Sequence, residues 1–264
     1  MSEESGATMA EVPSNETDAG ANDLVCGQVL AACRTGECPV CFRVAAAARK
    51  RLEELLAEHA TDPETRQRLR HSRGFCATHT WLLPTVAHAN LGVALIYHDL
   101  LRDALVQLEQ RARQTLRGGS RRIVRASPVR HNRPEATCLI CREGETLTMS
   151  DLGVIVAHFA DSRFLAGFAR SAGLCLPHVL RLVDLAGGHP NLGSVLAWHA
   201  TRWHELEADL VEFARKFDYR YAREPMGRER DSWLRVLQVF GGQPERCAPG
   251  PSPYTSAGEP RDVD

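Results

Sequence analysis

Residues 38–41 read CPVC and residues 138–141 read CLIC, while residues 74–79 read GFCATH and residues 173–178 read GLCLPH. The first pair of blocks lies 100 residues apart and the second pair 99. Two further blocks keep the same order. His59-Ala-Thr-Asp62 matches His158-Phe-Ala-Asp161 at an offset of 99, and NLGVALIYH at 90–98 matches NLGSVLAWH at 191–199 at an offset of 101. Four matched blocks in one order indicate an internal duplication, with single-residue insertions in loops.

Each half thereby offers C-x2-C, a gap of 34 or 33 residues (42–75 and 142–174), then C-x2-H. Two intervening residues let both donors of a pair reach one ion from a single turn. Three thiolates and one imidazole complete a tetrahedral set, which zinc favours. The candidate ligands are Cys38, Cys41, Cys76 and His79 in the first half and Cys138, Cys141, Cys175 and His178 in the second. Two Zn per chain are expected, with a 4Fe-4S cluster as the alternative, since Cys and His can hold either. The gap suits one helix going out and one returning. Each site is therefore expected to close within its own half; closure of Cys38 and Cys41 with Cys175 and His178 across a pseudo-twofold axis is the other possibility. A site with four protein ligands has no open position for water, so it stabilises rather than catalyses.

Between these blocks the pattern is helical. FRVAAAARKRLEELLAEHA (42–60) combines strong helix formers with an apolar stripe. Asp62-Pro63 is a cap followed by a first-turn proline, which opens a second helix running to about Ser72. Further helices are expected at about 77–88, 91–116, 142–160, 162–171, 176–186, 192–217 and 230–240. Few segments alternate apolar and polar residues. The fold class is all-α: two internally duplicated helical halves, each a metal-stapled helical hairpin plus a long helix, with a C-terminal strap helix. The segments are a disordered acidic tail (1–22), repeat 1 (23–116), a basic linker (117–136), repeat 2 (137–217), the strap (218–241) and a disordered tail (242–264). The linker carries six arginines and two prolines with no helical period. Cys33 has no counterpart in the second half, and Cys26 and Cys247 near the ends read as free thiols.

Apolar residues make up 44% of the 264 and charged residues 25%, with a formal net charge of -1. Nothing in that balance draws the chain to nucleic acid or to an anionic membrane. No apolar run reaches the roughly 18 residues of a membrane span, and the start is acidic where a secretory signal is basic and then apolar. The expected location is cytoplasmic, where clustered cysteines indicate metal or redox chemistry rather than disulfides.

Four other histidines fall at matched positions: His59 with His158, each three residues before an Asp, and His98 with His199, each after an aromatic. They are a candidate second site for metal or proton transfer; helix capping and bonding to buried carbonyls are the plainer roles. HATRWHELE (199–207) lacks the H-E-x-x-H order of a metalloprotease, and no G-x-S-x-G, phosphate-binding loop or dinucleotide fingerprint occurs. No catalytic residue is assigned. FDYRYAREPMGRERDSWLRVLQ (217–238) breaks the repeat and concentrates aromatics and paired charges. It is either a binding surface or a strap across both halves.

The tandem CPxC and FCxxH blocks, followed by KFDYRYAREPMGRERDSW (216–233), resemble an uncharacterised family of bacterial proteins known only as a domain of unknown function. The resemblance covers about residues 36–241 and implies the same eight ligands, with both quartets intact, but no activity. The leading reading is a zinc-binding, non-enzymatic scaffold or adaptor that takes an unknown protein or small ligand in the groove between halves. The alternatives are an iron–sulfur or thiol-based redox sensor, a DNA-binding regulator, which the near-neutral charge disfavours, and an enzyme using the paired histidines.

Overall fold

The computed structural model describes residues 16–117, 138–221 and 223–242. The described residues form ten α-helices and no strand. In chain order these are α1 (Glu16–Cys33), α2 (Pro39–Glu58), α3 (Pro63–Ser72), α4 (Ala77–Leu82), α5 (Asn90–Arg117), α6 (Leu139–His158), α7 (Ser162–Phe168), α8 (Leu176–Leu185), α9 (Leu192–Lys216) and α10 (Ser232–Gly241). Short 3-10 turns follow α4 and precede α10. The acidic run up to residue 15, the arginine-rich stretch from 118 and the tail from 243, with Cys247, lie outside the described residues.

The helix starts follow from local chemistry. Asp62 accepts the Thr65 N–H at 2.7 Å and Asp161 accepts the Arg163 N–H at 2.7 Å, so each caps its helix. Pro39 and Pro63 stand in first turns, where no N–H is required. The one helix the residue pattern did not deliver is α1, which begins inside the expected acidic tail. Its stripe Val25, Val29 and Cys33 recurs every fourth residue, and Val29 and Cys33 are fully buried. Cys33 is thus a core residue, and burial pushes its thiol up to about 11.

The centre of the molecule is the antiparallel crossing of α2 and α6. Arg43 pairs with Asp151 at 3.3 Å and Arg51 with Glu143 at 3.2 Å, so partner numbers fall on α6 as they rise on α2. Shifting 43 and 51 by the repeat offset of 100 gives 143 and 151, so each ion pair is the counterpart of the other. Gly144 meets its own counterpart between them: a Cβ there would lie 3.2 Å from Val44 Cγ1. The contacts of the crossing are therefore reciprocal about Val44 and Gly144. Asp151 is fully buried, and burial pushes its carboxyl up to about 6 against the pull of Arg43.

Two cores flank this crossing, and each takes in the start of the other half's first helix. Leu52, Leu55, Leu69, Leu82 and Ile96 pack with Cys138, Leu139 and Ile140. Leu152, Ile155, Phe168, Leu182 and Val195 pack with Cys38 and Val40, and Val29 and Cys33 of α1 close that side.

The reciprocity of contacts ends beyond the crossing. The outer part of α9 is covered by α10 and the 3-10 turn before it, whereas every residue from Leu101 to Arg113 on the matching part of α5 is exposed. Gly92 and Gly193 occupy matched places in the NLG motif but different surroundings. A Cβ at Gly92 would lie 2.5 Å from the Leu56 carbonyl oxygen, while one at Gly193 would meet nothing within 4 Å. Gly92→Ala is predicted to destabilise the protein by about 1–3 kcal/mol through backbone displacement, and Gly193→Ala to be neutral or stabilising by up to about 1 kcal/mol through helix propensity. Denaturant unfolding of the two variants reads the difference, and equal effects would contradict the close approach of α5 to α2.

Candidate metal centres

Cys38, Cys138, Cys76 and Cys175 each stand at the N-cap of a helix: α2, α6, α4 and α8 respectively. None of the four side chains caps its own helix. The second donor of each motif, Cys41, Cys141, His79 or His178, follows three residues later and shares its face. A C-x2-C or C-x2-H block is thus a pair of donors displayed on the first turn of a helix. Gly74 and Gly173 precede the C-x2-H blocks with φ of +89° and +80°, a conformation that favours glycine.

These four displays meet in two clusters. One holds Cys38, Cys41, Cys175 and His178; the other holds Cys76, His79, Cys138 and Cys141. In each, all four potential ligand atoms lie within 4.8 Å of one another. In the first, Cys41 Sγ stands 3.6 Å from Cys175 Sγ, and His178 Nδ1 stands 3.0, 3.4 and 3.6 Å from Cys175, Cys41 and Cys38. In the second, Cys76 Sγ stands 3.5 Å from Cys141 Sγ, and His79 Nδ1 stands 3.0, 3.4 and 3.7 Å from Cys76, Cys141 and Cys138. The described cysteines form no disulfide.

The eight residues are the expected ones, but the expected pairing within each half is overturned: every cluster takes two donors from each half. Helix length explains why. The 20 residues of α2 carry the chain about 30 Å away from Cys38 and Cys41, and the 10 residues of α3 could return it by at most about 15 Å. Cys76 and His79 therefore come up short of their own C-x2-C pair. They meet instead the start of α6, which the antiparallel crossing delivers to that end. The 20-residue α6 and 7-residue α7 repeat the mismatch on the other side.

The electrostatics of each cluster call for a cation. In the first, mutual hydrogen bonding with Cys175 and Cys41, then burial, hold the Cys38 thiol well above its ordinary range. Burial works against a charged His178, yet the thiols of Cys175 and Cys41 bring its imidazole up to about 10. In the second, burial opposes ionisation of Cys138, but hydrogen bonds from His79 and from backbone amides bring it down to about 6. Burial and the thiols of Cys76 and Cys138 push Cys141 up to about 12. One imidazolium can balance one thiolate, while Cys38 in the first cluster and Cys141 in the second resist ionisation. A bound divalent ion removes that conflict, because a coordinating thiol is deprotonated outright. The two helix N-termini facing each cluster add positive potential of the same sign.

The four other histidines do not join a cluster; among the described residues only the two Cys/His groups bring three or more potential ligands together. His199 is buried. Its Nε2 accepts the Leu174 N–H at 2.8 Å and its Nδ1 donates to the Val195 carbonyl at 2.8 Å, which fixes a neutral ring, and burial holds its pKa down. It positions the backbone one residue before Cys175, a role that its matched position alone did not reveal. Its counterpart His98 is exposed, and His59 and His158 are half-buried, the latter against Phe164.

The segment after α9 docks by ion pairs. Lys216 contacts buried Glu229 at 2.6 Å, and Asp209 holds Arg228 at 3.1 Å and Arg235 at 3.0 Å. It ends at buried Gly242, whose φ is +68° and where a Cβ would lie 3.0 Å from Cys41 Sγ and 3.6 Å from Cys175 Sγ. The C-terminal strap therefore closes over the first cluster.

The pairing makes opposite predictions for two double variants. Cys41→Ser with Cys175→Ser removes two donors from one cluster, so the chain should keep one of two metals. Cys41→Ser with Cys76→Ser takes one donor from each, so it should lose both. Metal content per chain decides between them, and the reverse pattern is the result that closure within halves requires.

No curated protein and no solved structure matches the chain. A family model described as a family of unknown function, DUF6062, matches residues 31–246, a span that takes in both clusters and the strap. The chain belongs to that family.

Proposed function

We propose that the protein is a zinc-stapled helical scaffold in which two Cys3His ions lock two duplicated halves together and present a binding face between them. The observation that carries this reading is the reciprocal composition of the clusters, two donors from each half in both. A tetrahedral zinc ion at about 2.3 Å from sulfur and about 2.0 Å from nitrogen sets S···S near ~3.8 Å and S···N near ~3.5 Å. The clusters offer S···S of 3.5 and 3.6 Å and S···N of 3.0–3.7 Å. A cubane of iron and sulfide sits between its ligands and holds them farther apart than one ion does, so these compact sets favour a single ion. Four protein donors fill zinc's coordination, which supports a structural and non-catalytic role. The matched blocks, the shared element order and the self-reciprocal crossing at Val44 and Gly144 support descent of both halves from one unit.

One observation favours a second reading, thiol-based redox sensing. In each cluster a thiol pair at 3.5–3.6 Å, Cys41 with Cys175 or Cys76 with Cys141, joins the two halves. A two-electron oxidant such as a peroxide, itself reduced to water or alcohol, would join the two sulfurs in a disulfide, release the metal and replace its staple.

Elemental analysis of protein purified without oxygen, read with its visible spectrum, tests the leading reading. It predicts two zinc ions per chain and no absorbance near the visible. Iron with acid-labile sulfide and a brown colour would overturn it.

A further inference from the structure

A cavity of about 340 Å³ lies beside the first cluster. Its lining includes the Cys38 and Cys175 side of that cluster, the segment from Arg170 to Leu174, Arg202, Trp203 and Leu206 of α9, and Arg228, Arg235, Gln238 and Val239 of the strap. Parts of both halves and of the C-terminal segment therefore border one space. Its volume is that of a small-ligand site.

The charge of this lining is lopsided. Four guanidinium groups border it, and Glu205 is the one carboxylate that does. Arg228 and Arg235 converge on Asp209, which is buried at the base of the strap. Arg228 also reaches Glu205 at 3.7 Å, and Arg235 bonds Asp231 at 2.8 Å and the Arg228 carbonyl at 2.6 Å. These contacts fix the two groups while leaving further N–H donors on each, since a guanidinium carries five. Arg170 and Arg202 pair with no carboxylate among the described residues. Arg202 is nonetheless held in place: it donates to the Ser171 carbonyl at 3.2 Å and lies 4.6 Å over the Trp198 ring. Two positive charges with no carboxylate partner of their own border a space whose other walls combine apolar Leu174, Leu206 and Val239 with polar Ser171, Glu205 and Gln238. The indole of Trp203 adds a flat surface, and its buried N–H has no hydrogen-bond partner among the described residues. The planar guanidinium fork can bind two oxygens of a tetrahedral phosphate at once, and a phosphate monoester supplies up to two negative charges to face the unpaired Arg170 and Arg202.

We propose that this cavity binds a small molecule carrying a phosphate monoester on an apolar or aromatic body. Arg170 and Arg202 neutralise the phosphate, Arg228 and Arg235 orient it, and Trp203 packs against the body. This assignment rests on the scaffold reading above and names the ligand class for its binding face. Cys38 and Cys175 join that lining and Gly242 seals the cluster from the strap side, so the metal staple and the cavity share walls.

The test is calorimetric titration of the full-length, metal-loaded protein with adenosine monophosphate and with pyrophosphate, with zinc measured on the same samples. Saturable binding of one molecule per chain is expected, weakening as salt rises. Arg170→Gln, at an exposed residue, should weaken it at least threefold, and Arg170→Gln with Arg202→Gln at least tenfold. Arg113→Gln, on the far part of α5, should leave it unchanged. Two zinc ions per chain with no binding of either probe, or undiminished binding by the double variant, would overturn the assignment while leaving the metal staples standing. A chain that holds no zinc would instead count against the scaffold reading itself, which the zinc measurement reports independently of the titration.

Discussion

Three thiols and an imidazole packed around one point cannot all take their charged metal-binding forms without a cation, and the rest of this structure depends on that constraint. Each cluster is buried or half-buried and built on helix N-termini, and its donors stand 3.0–3.7 Å apart in the closest pairs. Without positive charge at the centre, Cys38 and Cys141 resist ionisation and the thiols crowd one another. With it, two helix starts from different parts of the chain are tied at a single point. Metal binding of this kind is folding free energy, because the unfolded chain offers no preformed site.

What is tied matters as much as the tie. The halves exchange the first turns of α2 and α6, so each core is completed by residues of the other half: Cys138, Leu139 and Ile140 on one side, Cys38 and Val40 on the other. The pairs Arg43–Asp151 and Arg51–Glu143 fix the register of the exchange. Neither half is a self-contained metal hairpin. The C-terminal strap touches the two sides unequally. It covers α9 and one cluster, it contributes half the arginines of the charged cavity, and it leaves the matching face of α5 bare.

Much of this was legible in the residues, for identifiable reasons. Helix starts are written locally: Asp62 and Asp161 as caps, Pro39 and Pro63 in first turns, and cysteines at the N-cap with a second donor three residues on. The candidate ligand set was legible because both quartets occur intact and in order. The pairing was not, since spacing within a motif fixes which side chains share a turn but not which turns meet. That depends on the lengths of α2 and α3 and on Gly144 admitting Val44 at the crossing, both long-range facts. Helix α1 was missed because its apolar stripe at Val25, Val29 and Cys33 directly follows an acidic run. The matched histidines misled for a related reason: equivalence in sequence did not carry equivalent surroundings, and His199 is a buried backbone anchor while His98 faces solvent.

The central claim is that both metals lie between the halves. It is tested most directly by producing residues 1–117 and 138–264 as separate chains and titrating each with zinc against a chromophoric chelator, alone and then mixed. The account predicts weak binding by either piece alone and two tightly held zinc ions per mixed pair, with the pieces co-migrating only when metal is present. One tightly held zinc in each isolated piece, unchanged on mixing, would contradict it.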